Sequence, residues 1–259
     1  MPRTLAPDRS FPVSHPGSGP YALTVGADGA LWCTLVHAGR IARLTPDGRL
    51  DEFPLDSDSC GPSLITAGPD GALWFTQLHT DRIGRIDTGG AVVEFPLPGL
   101  AGAFPSMITA GGDGALWFTL NQAHAIGRIT TAGEVTLHPL PTPGAAPVGI
   151  AAGADGTLWF TQIGAGRIGR ITTAGEVSEF PLPDPSCRPH AITTAPDGSV
   201  WFTLWATGRI GSLTPGGDLV EHALPDPACE PHGLAFGPDG ALYTALETGE
   251  VLRLVRGES

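Results

Sequence analysis

Three titratable residues near the C-terminus have the types and spacing of a site that removes a proton beside a bound cation. Glu230 and His232 are two positions apart, and Glu247 follows His232 by fifteen positions. A pair of carboxylates suits Mg²⁺, which takes one or two carboxylates and keeps several waters. A histidine with an ordinary pKa near ~6.5 can accept the proton while the cation stabilises the developing enolate. These residues therefore predict metal-assisted proton abstraction.

The elements that must position these residues come from a repeat along the whole chain. In each copy an Asp-Gly pair precedes an aromatic residue, and the aromatic residues recur every 42 or 43 positions: Trp32, Trp74, Trp117, Trp159, Trp201 and Tyr243. An Asp-Gly pair between apolar runs favours a two-residue hairpin turn. Each copy reads as four short antiparallel strands, which is typical of one β-propeller blade.

The sequence therefore predicts an all-β fold, a single propeller domain over residues 1–259 with six four-stranded blades. Each inner strand begins near a proline: Pro20, Pro62, Pro105, Pro147, Pro189 and Pro231. The sixth copy ends after its third strand, and residues 10–13 (Ser-Phe-Pro-Val) resemble the outer strand at 94–97 (Glu-Phe-Pro-Leu). We expect this N-terminal strand to pair with the last blade, close the ring and remove exposed edges. A solenoid or sandwich of the same strands is the alternative.

Two positions of the repeat are predicted to meet at one end of the channel, where propellers carry concave sites. The residue after each of these prolines forms a first ring, and the residue fifteen positions later forms a second. The first ring is Tyr21, Ser63, Ser106, Val148, His190 and His232; the second is Val36, Leu78, Asn121, Ile163, Trp205 and Glu247. The titratable and aromatic members gather in blades five and six, whereas blades two to four are more apolar.

Two alternatives compete with a catalytic interpretation of this end. Side chains alternate along a strand, so Arg188 and Glu230 are expected to face the histidines two positions later, and they could instead pair across the blade boundary. Three cysteines at one repeat position, Cys60, Cys187 and Cys229, could bind Zn²⁺ with the histidines. Alternation turns these cysteines away from the histidines, so buried thiols are favoured.

Composition excludes several classes of function. A net charge of −12 and a pI near 4.9 argue against a nucleic-acid partner. All 14 basic residues are arginine, which excludes Schiff-base chemistry and a phosphate-binding loop of the Walker type. No secretory signal or membrane-spanning run is visible, and four cysteines do not make a disulfide scaffold. A cytoplasmic monomer without a membrane partner is expected.

The motifs around these residues resemble the streptogramin B lyases, the virginiamycin B lyase family. The resemblance covers essentially the whole chain and is most specific at the Glu-Pro-His motif and the later glutamate. The matching stretches are residues 188–193 (Arg-Pro-His-Ala-Ile-Thr), 204–205 (Leu-Trp), 230–233 (Glu-Pro-His-Gly) and 245–247 (Ala-Leu-Glu), with the blade phrases at 115–119 and 125–130.

The resemblance implies an Mg²⁺-dependent carbon–oxygen lyase that linearises cyclic depsipeptide antibiotics and so confers resistance. Such enzymes break the lactone ester at a threonyl residue by elimination. The resemblance makes His232 the general base, Glu230 and Glu247 the metal ligands, and His190 a substrate contact. Trp205 and Tyr21 fall where aromatic pocket walls are expected.

The resemblance also implies seven blades, whereas six are counted. We expect the missing unit among the early blades, opposite the catalytic pair. This departure leaves two other functions open: a metal-dependent lactone hydrolase acting on a smaller substrate, and a propeller that binds a partner without turnover.

Overall fold

The computed structural model describes residues 11–12, 16–97, 99–237 and 239–254. Blade one contains β1 (Pro20–Val25), β2 (Leu31–Leu35), β3 (Arg40–Leu44) and β4 (Leu50–Pro54). Blade two contains β5 (Pro62–Ala67), β6 (Leu73–Gln77), β7 (Arg82–Ile86) and β8 (Val92–Pro96). Blade three contains β9 (Pro105–Ala110), β10 (Leu116–Leu120), β11 (Ala125–Ile129) and β12 (Val135–Pro139).

Blade four contains β13 (Pro147–Ala152), β14 (Leu158–Gln162), β15 (Arg167–Ile171) and β16 (Val177–Pro181). Blade five contains β17 (Pro189–Thr194), β18 (Val200–Leu204), β19 (Arg209–Leu213) and β20 (Leu219–Ala223), with a 3₁₀ turn at Trp205–Thr207. Blade six contains β21 (Pro231–Phe236), β22 (Leu242–Leu246) and β23 (Val251–Leu254).

Each blade is an antiparallel meander in which consecutive strands are neighbours. Blades one to five have four strands, and the described part of blade six has three. The prediction of an all-β propeller with six blades is confirmed, and each predicted proline begins an inner strand.

The Asp-Gly turn differs from the predicted two-residue hairpin. In blade one, five residues separate β1 from β2, and Gly29 N–H donates to the carbonyl of Gly26 over 3.0 Å. Gly29 has a φ of 74°, whereas Asp28 is not among the residues with positive φ. The Asp28 carboxylate instead accepts hydrogen bonds from Trp32 Nε1 (3.2 Å) and Arg43 Nε (2.7 Å). The Asp-Gly pair recurs because its aspartate links the turn by hydrogen bonds to the second and third strands of the blade.

The core lies between blades rather than inside them. Trp32 of blade one is fully buried in one cluster with Ile65, Leu73 and Phe75 of blade two. Burying a side chain such as Phe75 contributes about 1.5–3 kcal/mol. The ring of Phe75 lies over Gly84, where an added Cβ would come within 2.1 Å of it, so this position requires glycine.

Within the described residues, blades six and one are not joined by the inner-strand packing that joins the other blades. At the other five boundaries, the inner strands of neighbouring blades pack against each other: β1 with β5, β5 with β9, β9 with β13, β13 with β17, and β17 with β21. Within the described residues, β21 does not pack in this way on β1. The expectation of a missing unit among the early blades stays a prediction, although blades one to five pack on one another without a break.

The predicted closure by residues 10–13 lies partly outside the described residues, which include only Phe11 and Pro12 of that segment. Neither of these two residues belongs to a strand. Phe11 lines a cavity of about 290 Å³ on blade one, together with Tyr21, Leu23 and Leu31. Pairing of the N-terminal strand with blade six thus stays a prediction.

Candidate active site

Backbone hydrogen bonds place the two predicted rings at the same end of the propeller. In blade six, Glu247 N–H donates to the carbonyl of Glu230 over 3.2 Å, and in blade five Trp205 N–H donates to Arg188 over 3.1 Å. The other four blades repeat this bond: Val36 to Gly19, Leu78 to Gly61, Asn121 to Phe104, and Ile163 to Ala146. The two rings therefore meet as the repeat predicts.

Arg188 and Glu230 are oriented by a left-handed backbone and not by strand alternation. Their φ angles are 51° and 48°, and both residues precede their strands. The same position is left-handed in every blade and is occupied by Gly19 and Gly61 in blades one and two. A non-glycine residue costs about 1–2 kcal/mol there. The alternation argument is thus wrong for these residues, and the sequence signal for the backbone was the pair of sibling glycines.

His232, Glu247 and Glu230 form a compact acid–base cluster in blade six. His232 Nε2 lies 3.6 Å from Glu247 Oε1, and 40% of the His232 side chain and 46% of the Glu247 side chain are exposed to solvent. A hydrogen bond with Glu247, partial loss of water and the charge of Glu247 raise the pKa of Glu230. The two carboxylates therefore compete for a proton beside a histidine that is accessible from the channel mouth.

His190 of blade five packs directly on His232. The ring centroids are 4.0 Å apart, and His190 Nδ1 lies 3.3 Å from the carbonyl oxygen of His232. Burial, followed by the neighbouring His232, lowers the pKa of His190 to about 4. His190 is therefore neutral near pH 7 and can accept or donate a hydrogen bond without carrying charge.

A threonine in each of four blades fixes the first ring, a role that the sequence pattern did not predict. The Thr161 hydroxyl donates to the carbonyl of His190 over 2.7 Å and accepts from Gly149 N–H over 2.8 Å. Equivalent bonds join Thr34 to Ser63, Thr76 to Ser106, and Thr119 to Val148. The recurring threonine two positions after the tryptophan was the available signal.

Trp205 and Arg188 of blade five are in contact with each other. The Arg188 guanidinium lies over the Trp205 ring, 5.4 Å from its centroid. In the described part of the chain no ion pair joins Arg188 to Glu230, so the alternative of a purely structural pair does not describe this wall. The stack fixes the indole of Trp205 against the residue that precedes β17.

Tyr21, the sixth predicted site residue, is separated from this cluster. It is 53% exposed on β1, a strand that does not pack on β21 in the described part of the chain. The structure therefore brings Glu230, His232, Glu247 and His190 together, with Trp205 also on blade five, and leaves Tyr21 apart from them on blade one.

The donor set fits a hard cation better than zinc. No group of three or more His, Cys, Asp or Glu side chains close enough to hold a metal is found within the described ranges. Cys60, Cys187 and Cys229 are buried free thiols, and burial raises the pKa of Cys60 and Cys187 to about 12. The lack of a group of three donors in the described residues applies to Mg²⁺ and Zn²⁺ alike, and the raised thiol pKa values count further against zinc at the cysteines. Glu230 and Glu247 are adjacent carboxylates that share a hydrogen bond, and such a pair suits a largely hydrated divalent cation.

The fold and the cluster define a β-propeller protein with an acid–base site at its channel mouth. The model of the virginiamycin B lyase family matches residues 8–254. The chain belongs to this family.

Three solved structures are similar to this protein over most of its chain. Virginiamycin B lyase from Staphylococcus aureus is 42% identical with a TM-score of 0.89, covering 93% of this chain and 82% of that one. A streptogramin B lyase structure is 44% identical with a TM-score of 0.89, covering 95% and 83%. A catalytically inactive histidine-to-alanine variant of the S. aureus lyase, with quinupristin, is 42% identical with a TM-score of 0.88, covering 92% and 81%.

A curated relative matches over a shorter stretch. Virginiamycin B lyase from Saccharopolyspora erythraea is 60% identical over 40 residues, which is 15% of this chain and 13% of that protein. Separately, none of the described helices has the length and apolar character needed to cross a membrane.

Proposed function

We propose that this protein is an Mg²⁺-dependent carbon–oxygen lyase that linearises streptogramin B-type cyclic depsipeptide lactones at their threonyl ester. The observation that carries the proposal is the cluster in blade six, with His232 3.6 Å from Glu247 and Glu230 against Glu247. Membership of the virginiamycin B lyase family supports it. So does the similar lyase that a histidine-to-alanine change inactivates, whose structure includes quinupristin.

The proposed reaction is a β-elimination that needs no water. His232 removes the α-proton of the threonyl residue, and the electrons of that C–H bond form the Cα=Cβ double bond. The Cβ–O bond breaks, and the former ester leaves as a carboxylate. The product is a linear peptide with a dehydrobutyrine residue and the same mass as the substrate. Removing the general base from such a reaction costs about 10²–10⁴ in rate.

Glu230 and Glu247 are the residues that would hold Mg²⁺. A bound cation polarises the substrate carbonyl and stabilises the enolate charge. The two carboxylates would hold the cation, and Glu247 also orients the imidazole of His232 from 3.6 Å. The hydrogen bond with Glu247, followed by partial loss of water and the charge of Glu247, raises the pKa of Glu230, and a cation held by this pair would favour the ionised form of both carboxylates.

Neighbouring residues position the substrate. His190, neutral because burial lowers its pKa to about 4, offers a hydrogen bond to the substrate or the leaving carboxylate. The Trp205 ring, held by Arg188, supplies an apolar wall. Tyr21 is retained as a contact for a large macrocycle that extends to blade one. Linearising the antibiotic would make the cell resistant, and buried free thiols fit a cytoplasmic location.

Mass spectrometry of a streptogramin B antibiotic incubated with the protein tests the proposal directly. With Mg²⁺ we expect a product of unchanged mass and altered retention, and none when EDTA is present. A product heavier by one water would identify a lactone hydrolase instead. Binding of the antibiotic without any product would identify a non-catalytic binding platform.

A further inference from the structure

Arg188 of blade five occupies the same place in the repeat as Glu230 of blade six, which is one of the two carboxylates assigned to Mg²⁺ above. Both residues have a left-handed backbone, with φ angles of 51° and 48°, and each directly precedes the proline that begins its inner strand. The carbonyl of each accepts a hydrogen bond from the second-ring residue of its own blade, Trp205 or Glu247. The two side chains therefore leave the backbone at equivalent points of the channel mouth.

In both blades the side chain at this left-handed position contacts the side chain of the second ring. Glu230 shares a hydrogen bond with Glu247 in blade six. In blade five the Arg188 guanidinium lies over the Trp205 ring, 5.4 Å from its centroid. The Arg188–Trp205 pair is therefore the blade-five counterpart of the carboxylate pair, and it presents a cationic donor beside an apolar ring.

The two pairs lie on adjoining blades. The inner strands of blades five and six, β17 and β21, pack against each other. The rings of His190 and His232, which begin these strands with their prolines, are 4.0 Å apart between centroids. Arg188 stands two residues before His190, so its backbone lies on the blade that packs directly against the acid–base cluster.

The charge of Arg188 is not neutralised by a carboxylate of the described residues. Outer-strand glutamates pair with other arginines, as Glu94 does with Arg82 over 2.9 Å and Glu221 with Arg209 over 2.8 Å. None of the ion pairs among the described residues includes Arg188, and its side chain is exposed. A guanidinium that stacks by its face on an indole keeps its edge N–H groups for planar hydrogen bonds to a carboxylate.

We propose that Arg188 binds the carboxylate that is released when the lactone opens. The inference rests on the function proposed above, because it concerns the leaving group of that reaction. The ester is neutral, and the electron pair of the broken Cβ–O bond leaves with the oxygen while His232 takes the α-proton. A full negative charge therefore develops on the leaving group, and Arg188 is a cation on the blade next to His232.

A guanidinium suits this role because the charge on the leaving oxygen appears only as the ester bond breaks. A donor aimed at developing charge stabilises the transition state more than the bound substrate, and the loss of one such donor lowers kcat by about 10²–10³. Hydrolysis of the lactone would release the same carboxylate. Binding of the carboxylate by Arg188 can therefore be tested separately from the elimination.

Binding of an opened peptide and of its amide tests this contact without turnover. The probes are a streptogramin B antibiotic whose lactone has been hydrolysed chemically, and the same linear peptide with the new carboxylate converted to a primary amide. Calorimetry at one Mg²⁺ concentration gives the ratio of the two affinities. We expect Arg188→Gln to lower the acid-to-amide ratio by about tenfold or more relative to the parent, because a charge-assisted hydrogen bond is lost.

Arg49→Gln is the matched control, because it changes the net charge by the same amount. The Arg49 side chain is 70% exposed on the turn between β3 and β4, at the end of blade one that lies away from the channel mouth. This variant should keep the ratio of the parent. Arg188→Lys retains the charge without the planar fork and should recover part of the ratio. Melting temperatures check that all three variants fold.

The kinetics of antibiotic opening provide a second measurement. Arg188→Gln should lower kcat by about 10²-fold and change KM much less, because the neutral ester gains little from the guanidinium before the bond breaks. Inhibition by the linear product should also weaken. A rise in KM with kcat unchanged would instead assign Arg188 to binding of the intact substrate and would contradict the proposal.

Three outcomes of the binding experiment would overturn the proposal. An unchanged acid-to-amide ratio in Arg188→Gln, in a protein whose parent opens the antibiotic, would reject the role of Arg188 and leave the proposed function intact. Equal loss of affinity for both peptides would mean that Arg188 only holds the Trp205 ring. A parent that binds neither peptide would mean that the mouth has no carboxylate site. Conversely, an Arg188-dependent ratio in a parent that leaves the antibiotic unopened would reject the lyase and support Arg188 as the carboxylate-binding residue.

Discussion

His190 Nδ1 lies 3.3 Å from the backbone carbonyl oxygen of His232, and the two imidazole rings are 4.0 Å apart between centroids. A proton on Nδ1 can be donated to that carbonyl, which leaves Nε2 of His190 as an acceptor. The contact joins blade five to blade six at the catalytic position. One histidine thus supports the backbone of the other while keeping a free ring nitrogen.

The pH dependence of stability should report this contact. Burial and the neighbouring His232 lower the pKa of His190 from 6.5 to about 4 in the folded protein. The unfolded chain binds this proton as the pH falls through about 6.5, while the folded chain does so only near 4. The neutral histidine therefore contributes to stability above about pH 6.5. This contribution is lost as the pH falls from about 6.5 to about 4. The loss is on the order of 3 kcal/mol.

A His190→Gln variant isolates this effect, since glutamine can still donate to the His232 carbonyl but does not titrate. Urea unfolding at pH 7, 5.5 and 4.5 should show a shallower fall in the free energy of unfolding for the variant than for the parent. Equal falls in both proteins would contradict the lowered pKa of His190.

Replacing the base should remove turnover and leave the fold intact. His232 is about two-fifths exposed at the channel mouth, so His232→Gln should change the melting temperature little. Elimination should slow by about 10²–10⁴ in kcat, because the α-proton has no acceptor. Quantifying the linear product by mass spectrometry measures this loss.

A second histidine offers a matched control for that experiment. His222 stacks on Trp201 at 5.3 Å, in the position where Phe53 stacks on Trp32 at 5.6 Å. His222→Phe should therefore keep both the stack and the activity. If the two variants lost activity equally, the assignment of His232 as the base would be untenable.

Removing either carboxylate of the cluster should weaken Mg²⁺ binding. Glu230→Gln and Glu247→Gln each take away a charge that a hydrated cation requires, and we expect at least about a tenfold loss of affinity by calorimetry. The melting temperature without metal should not fall, since either change places a neutral amide, which can donate a hydrogen bond, beside the remaining carboxylate of the Glu230–Glu247 pair. Glu134→Gln, on an exposed turn of blade three, is the control. Unchanged affinity in both site variants would argue against this metal site.

The repeat made the blades and the two rings predictable from the sequence alone. Six copies of one pattern act as an internal alignment, so the positions of His232 and Glu247 could be compared with five siblings each. The backbone bond from Glu247 to Glu230 is the same bond in every blade, which is why the fifteen-residue spacing placed the rings correctly.

Two features were not predicted: the packing of β1 and the left-handed backbone at Glu230. Both depend on the three-dimensional arrangement, which the spacing of a repeat does not reveal. The spacing of Pro20 is the same whether or not β1 packs on another blade, so the lack of packing between β1 and β21 in the described residues could not be predicted from the sequence. Strand alternation fails at Glu230 because its φ of 48° reverses the direction of the backbone there. The separation of Tyr21 on β1 from His232 on β21 could not be predicted for the same reason.

The left-handed backbone at Glu230 should trade stability for function. Glu230→Gly removes the strain of a side chain at φ 48°, as glycine already does at Gly19 and Gly61. Relief of about 1–2 kcal/mol is partly offset by the greater freedom of glycine in the unfolded chain, so we expect a gain of about 1 kcal/mol. Mg²⁺ binding and elimination should both fall, because a carboxylate is lost.

Ala146→Gly separates the two effects, because Ala146 has the same conformation in blade four, with a φ of 45°, and lies outside the catalytic cluster. Urea unfolding of both variants should show similar stabilisation, while only Glu230→Gly loses turnover. Stabilisation by Ala146→Gly together with destabilisation by Glu230→Gly would show that the Glu230 side chain makes a favourable contact in the folded protein. That result would contradict a carboxylate held under strain for the metal, and would instead make Glu230 a structural residue of the blade.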